Sequence, residues 1–196
     1  MRLAKLSPMF LAAVVGACSV QPEVLNSDLI RTRFGSYGVE VLEQSSQLRR
    51  SNLYSLESTG RVCRTYAIVQ FIDVADADIA AVHDKVMSGQ SLGASFRAAG
   101  WNLAKRTVHI GQVSVDANDH GILQLMQLEG PQQLAMHVYE LYLNRGRRSL
   151  HYATVIEIHH PAYQNLADLE ERYGSAATPE PAWPRLESFE ALIQSD

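Results

Sequence analysis

Cysteine is nearly missing from this chain: 196 residues carry two, Cys18 and Cys63. A scaffold stapled by several disulfides and a cysteine-rich zinc site are both excluded. No C-x-x-C or H-x-x-x-H spacing occurs, so the seven histidines form no metal-ligand motif, and neither a metal nor a cofactor is expected. Cations are not in excess. Seventeen Lys and Arg face 21 Asp and Glu, for a formal charge of −4. That balance lacks the basic footprint of nucleic-acid binding, and no nucleic-acid partner is expected. No apolar run reaches the roughly 20 residues that span a bilayer. Internal repeats and low-complexity blocks are also missing. What remains is enough chain for one domain with a real core, plus tails.

The amino end holds the most specific signal. Arg2 and Lys5 precede a short apolar run, Met9-Phe10-Leu11-Ala12-Ala13-Val14-Val15. A basic start, a short apolar middle and small residues at the end make a secretory signal. The small residues are Val15-Gly16-Ala17, and Cys18 follows at once. This segment resembles the lipobox of bacterial lipoproteins, in which the signal peptidase cuts before the cysteine. The resemblance covers residues 1–18 only. It implies a diacylglyceryl thioether on Cys18 and an acylated amino group, and hence attachment to a membrane at the cell envelope. Two or more acyl chains hold a protein stably at a bilayer, whereas one does so marginally. By the same analogy Ser19, a residue other than Asp, implies the outer membrane facing the periplasm, if the source is Gram-negative. Losing Arg2 and Lys5 takes the formal charge from −4 to −6.

The rest of the chain divides by pattern. Residues 1–17 are the signal peptide, 18–35 a lipidated tether, and 36–174 an α+β domain. Residues 175–196 form a Pro/Ala-rich linker with a short amphipathic end. Strands are expected at 39–43, 48–56 and 61–72, the last rich in β-branched and aromatic residues. Cys63 falls on its apolar alternating face, where it is expected to act as a small core hydrophobe. Ile79, Val82 and Val86 have helical spacing, and Ser91 can cap a second short helix before Gly100. Strands follow at 101–115 and 122–128. A hairpin is expected from Leu134–Leu143 and Arg148–His160 around Gly146. Asn165–Tyr173 is expected as a helix ended by Gly174. The sum is a mostly antiparallel sheet of about six or seven strands, with a helical insertion after the third.

Several residues carry candidate chemistry. Gly89-Gln90-Ser91-Leu92-Gly93 matches the nucleophile-elbow pattern G-x-S-x-G. In an enzyme Ser91 would be the nucleophile, with Asp116 or Asp119 and His137 or His151 completing a triad. An elbow needs a strand leading in, however, and a helix is expected there. Pairing Asn144 with Arg147 would put His137 on the same face as His160, roughly 20 Å away, too far to share a metal. The same register sets His151 against Glu140. Arg145, Arg147 and Arg148 at the hairpin tip, and Arg49-Arg50, are basic spots suited to phosphate head groups or an acidic partner. Trp183, with the apolar residues after it, could dock on a partner. The expected role is a membrane-anchored binding or interaction module that is not an enzyme, facing a protein or cell-wall partner. The alternative is a small periplasmic serine hydrolase using Ser91.

Overall fold

The structure, a computed structural model, describes residues 24–72 and 74–174. Cys18 and Trp183 lie outside them. One six-stranded antiparallel sheet organises these residues, with helices against it, in an α+β fold. Strands β1 (Gly38–Gln44), β2 (Leu48–Glu57) and β3 (Gly60–Phe71) form one meander. Strands β4 (Asn102–Val115), β5 (Gln132–Arg145) and β6 (Arg148–His159) form another. The two join through their last strands, so the order is β1-β2-β3-β6-β5-β4. The chain must therefore travel from the centre of the sheet to its far edge between β3 and β4. It does so through α2 (Ala77–Met87) and α3 (Leu92–Ala98), the insertion expected from sequence.

The sheet buries apolar residues on both faces, and the helices divide between them. On one face Val69, Phe71, Leu141, Leu143 and Val155 pack with Ile79, Val82, Val86 and Phe96 of α2 and α3. On the other, Ile68, Met136, Val138, Ile156 and Ile158 pack with Ile122 of α4 (His120–Leu125) and with Met126 at its end. Cys63 belongs to this second cluster and is 1% exposed, as its apolar face implied. Burial pushes its thiol up to about 12, where thiolate chemistry is suppressed. A final helix, α5 (Leu166–Tyr173), starts with a capping box between Asn165 and Asp168.

Three expectations need correction. Residues 122–128 were expected as a strand, but α4 occupies 120–125. Ile122, Leu125 and Met126 recur at i, i+3 and i+4, and Leu, Gln and Met favour helix over strand. Gln127 then takes a positive φ of 54° and turns the chain. Residues 19–35 were expected as a tether, but helix α1 (Asn26–Phe34) packs on the sheet within that span. Ile30 is fully buried, and Gly35 closes the helix at φ 75° with its N–H on the Arg31 carbonyl. Arg33 donates to the carbonyls of Ala162 and Tyr163, tying α1 to the segment before α5.

The third correction concerns register. The β5–β6 turn is Gly146-Arg147, closed by Arg145 opposite Arg148, with Gly146 at φ 63°. His151 consequently faces Tyr142, not Glu140. A bulge then follows between Leu141 and Tyr142, which leaves Tyr152 without a partner. One extra residue exchanges the faces of the strand beyond it. His137 thus faces Glu157, and His159, not His160, shares its side.

The packing of α1 yields a test. Replacing Ile30 with Ala leaves a void in a fully buried site, and should lower unfolding stability by about 2–5 kcal/mol in urea melts. A loose tether would lose almost nothing.

Candidate functional site

The face covered by α1 and α3 holds a group of buried polar residues around a cavity of about 90 Å³. Alternation puts them there. Arg49, Ser51 and Leu53 of β2 point inward beside Ala67 and Val69 of β3. Lys105 of β4 lies opposite Leu141, and Glu157 of β6 opposite Ala67 and His137. Leu25, Leu92, Leu103 and Val155 supply apolar wall, and Tyr37 and Ser91 add hydroxyls.

Glu157 and Lys105 form an ion pair at 3.8 Å, with side chains 6% and 3% exposed. Two charges so placed each lose water, and the pair must be supported by further polar contacts to hold. Tyr139 donates its hydroxyl to Glu157 at 3.2 Å. The Lys105 ammonium lies 4.3 Å from the Tyr139 ring centre and 5.9 Å from that of Tyr173. Burial alone would raise the Glu157 pKa, but Lys105 chiefly, with smaller contributions including an Asn26 hydrogen bond, holds it below the usual carboxylate value.

A chain of hydrogen bonds extends from this pair's surroundings. Tyr163 donates to Asn26 at 2.5 Å, and Asn26 donates to Thr65 at 3.0 Å. The Thr65 hydroxyl meets His159 Nδ1 at 3.0 Å. His137 Nε2 meets Thr107 at 3.0 Å, and its ring stacks on Tyr173. Burial lowers the His159 pKa to about 4, with Glu157 opposing and Lys105 assisting. Burial and Lys105 take His137 to about 3. Both are neutral imidazoles at physiological pH.

Arg49 was expected on a basic surface spot but is 3% exposed. Its Nε donates to Ser51 at 2.9 Å, and its Nη1 donates to the carbonyls of Val86 and Gln90 at 2.9 and 3.0 Å. It therefore closes the carboxyl end of α2, where a cation is favoured. Arg50 points to the other side of the strand and pairs with Glu43 at 3.2 Å.

Ser91 lines the cavity as the N-cap residue of α3, with no side-chain capping bond. Tyr37 lines the cavity with it, and burial raises the pKa of that phenol. Helix α2 precedes it, so no strand feeds the elbow that G-x-S-x-G suggested. Both glycines have structural reasons instead. Gly89 takes φ 94° where α2 ends, and a Cβ on Gly93 would overlap Leu25 at the start of α1. Asp116 and Asp119 belong to the loop before α4, against the opposite face. There Asp116 accepts from the Asn118 N–H and Asp119 from the Asp116 N–H. His151 also lies on the opposite face, stacked on Tyr142 with ring centres 5.0 Å apart. Of the four residues expected to complete a triad, only His137 shares the face of Ser91, and it does not line the cavity.

At the hairpin tip, Arg148 pairs with Asp76 and Asp78, and Arg145 pairs with Asp78 at 3.4 Å. The Arg145 guanidinium also lies 4.2 Å from the Trp101 ring centre. Arg147 is exposed in the turn. No cluster of three or more His, Cys, Asp or Glu among the described residues could hold a metal ion. No helix among the described residues is long and apolar enough to cross a membrane.

The buried imidazoles set a pH dependence. Both have folded pKa values below the 6.5 of a free histidine, so the unfolded chain binds more protons in that interval. Stability should be full above pH 6.5 and fall as pH drops from about 6.5 through about 4. The depressed Glu157 carboxyl adds a loss of the same sign below its unfolded value. Urea midpoints from pH 7.5 to 4 check this; a flat profile contradicts it.

Compared with models of known protein families, the chain matches none. No curated protein is similar enough to count as a relative.

Proposed function

We propose that this chain is a cell-envelope lipoprotein, held at a membrane by lipid on Cys18, whose domain binds a small ligand without chemically changing it. The lipobox-like segment at residues 1–18 supports the anchor. The observation that carries the binding role is the cavity of about 90 Å³ between the sheet and helices α1 and α3. Apolar walls with a few convergent polar groups are what ligand sites have in common. Inside it, Ser91, the nucleophile candidate of the sequence, lies beside the Tyr37 phenol, and no imidazole among the described residues lines the cavity with it. A phenol with a raised pKa is a poor proton acceptor at neutral pH, so it does not activate a serine. In a Gram-negative source the anchor places the domain on the periplasmic side of the outer membrane, within reach of protein or cell-wall partners.

Four measurements, three of them on the mature protein extracted from membranes, test this. Mass spectrometry of the amino-terminal peptide should find a diacylglyceryl group and an acyl chain on Cys18. The Cys18→Ala variant should accumulate as uncut precursor. Native mass spectrometry should retain a non-covalent adduct on the domain, and a fluorophosphonate probe should leave Ser91 unlabelled. Ser91-dependent labelling would move the protein to the hydrolase class. A mature protein without lipid would remove the anchor.

A further inference from the structure

We infer that the cavity binds a small monocarboxylate with a short apolar body, its carboxylate seated on Arg49. This rests on the binding role proposed for the cavity and names the class of ligand.

Three charged side chains line the cavity: Arg49, Lys105 and Glu157. Lys105 and Glu157 answer each other at 3.8 Å. Arg49 has no carboxylate within ion-pair range among the described residues, although it is 3% exposed. Its Nε and Nη1 are used by Ser51, Val86 and Gln90, whereas its Nη2 has no acceptor among the described residues. The cavity wall thus carries one net positive charge with a free donor. A buried cation without a counter-charge is costly even when partly hydrogen-bonded, so an anion entering here gains more than it would in water. A planar guanidinium suits a planar carboxylate.

Charge number narrows the class further. One spare cation matches one negative charge. A phosphate monoester would bring a second charge near Glu157, which repels it. An amine would meet Arg49 and Lys105 instead of a carboxylate. Tyr37 and Ser91 add hydroxyl donors on the same wall. The remaining surface is apolar, from residues such as Leu25, Leu53, Leu103 and Val155. A cavity of about 150 Å³ holds benzene, so about 90 Å³ seats a carboxylate with only a few carbons.

The test uses the mature lipidated protein in nanodiscs, with empty nanodiscs as the blank, and titrates propanoate, propan-1-ol and propylammonium by calorimetry. Propanoate should bind about tenfold tighter than propan-1-ol, with propylammonium weakest. Arg49→Met should abolish the preference for propanoate. Since Arg49 also holds the end of α2, a thermal melt accompanies this variant. Leu53→Trp fills the cavity with the charges intact and should abolish propanoate binding. It decides the matter if Arg49→Met unfolds. Equal binding of propanoate and propan-1-ol, no binding of either, or propanoate binding unchanged in Leu53→Trp overturns the assignment. A native adduct of another chemical class would overturn the carboxylate while leaving the binding role standing.

Discussion

A carboxylate and an ammonium face each other 3.8 Å apart under a layer of helices, and the rest of this domain accommodates them. Such a pair contributes little by itself, because desolvation consumes most of its Coulomb attraction. Removing one partner is different and typically costs about 3–5 kcal/mol, since the other charge is then stranded. The surrounding residues show how the pair is kept. Tyr139 supplies a hydrogen bond to Glu157 and an aromatic face to Lys105. Asn26, Thr65, His159 and Tyr163 make a connected set beside it. That set spans α1, β3, β6 and the segment before α5. The charge therefore explains why a helix formed by residues 26–34 belongs to the domain.

The topology places these groups together. Two three-stranded meanders meet at β3 and β6, so the most buried strands carry the most demanding residues. The crossover through α2 and α3 must pass over the same face, and it roofs the cavity. The Tyr152 bulge completes the arrangement. Without that extra residue His159 and Glu157 would point to the other side of the sheet relative to His137. Arg49 links the layers, because its guanidinium reaches from β2 to the carbonyls of Val86 in α2 and of Gln90 just beyond it.

Much of the fold was legible from pattern alone. The β-branched and aromatic run at 61–72, the helical spacing of Ile79, Val82 and Val86, and Gly146 in its turn each identify an element by a local rule. Two elements escaped for local reasons as well. α1 has a single fully buried apolar residue, Ile30, so its periodicity is faint, and its clearest signal is the Gly35 stop. α4 is six residues long, too short for spacing to outweigh alternation. The site was less legible. Motif rules drew attention to Ser91, which does line the cavity, but also to Asp116, Asp119 and His151 on the far face. The buried charges carried a different signal. Glu157 interrupts Val155-Ile156-Glu157-Ile158, and Arg49 and Ser51 alternate with Leu53 on an inward face. A charge inside an apolar strand needs a partner, but sequence alone does not say that the partner is Lys105, 52 positions earlier on the edge strand. Only the crossover and the bulge determine that.

The claim that these groups form a charged, internally compensated site is open to one direct measurement. Carboxyl carbon shifts of Glu157, followed by NMR as pH is lowered, report its ionisation in the folded protein. If Lys105 outweighs burial, Glu157 titrates below 4.5 and stays ionised while ordinary glutamates protonate. A midpoint above 4.5 would mean that burial dominates and that the ammonium does not hold the charge. The electrostatic account of the cavity would then fail.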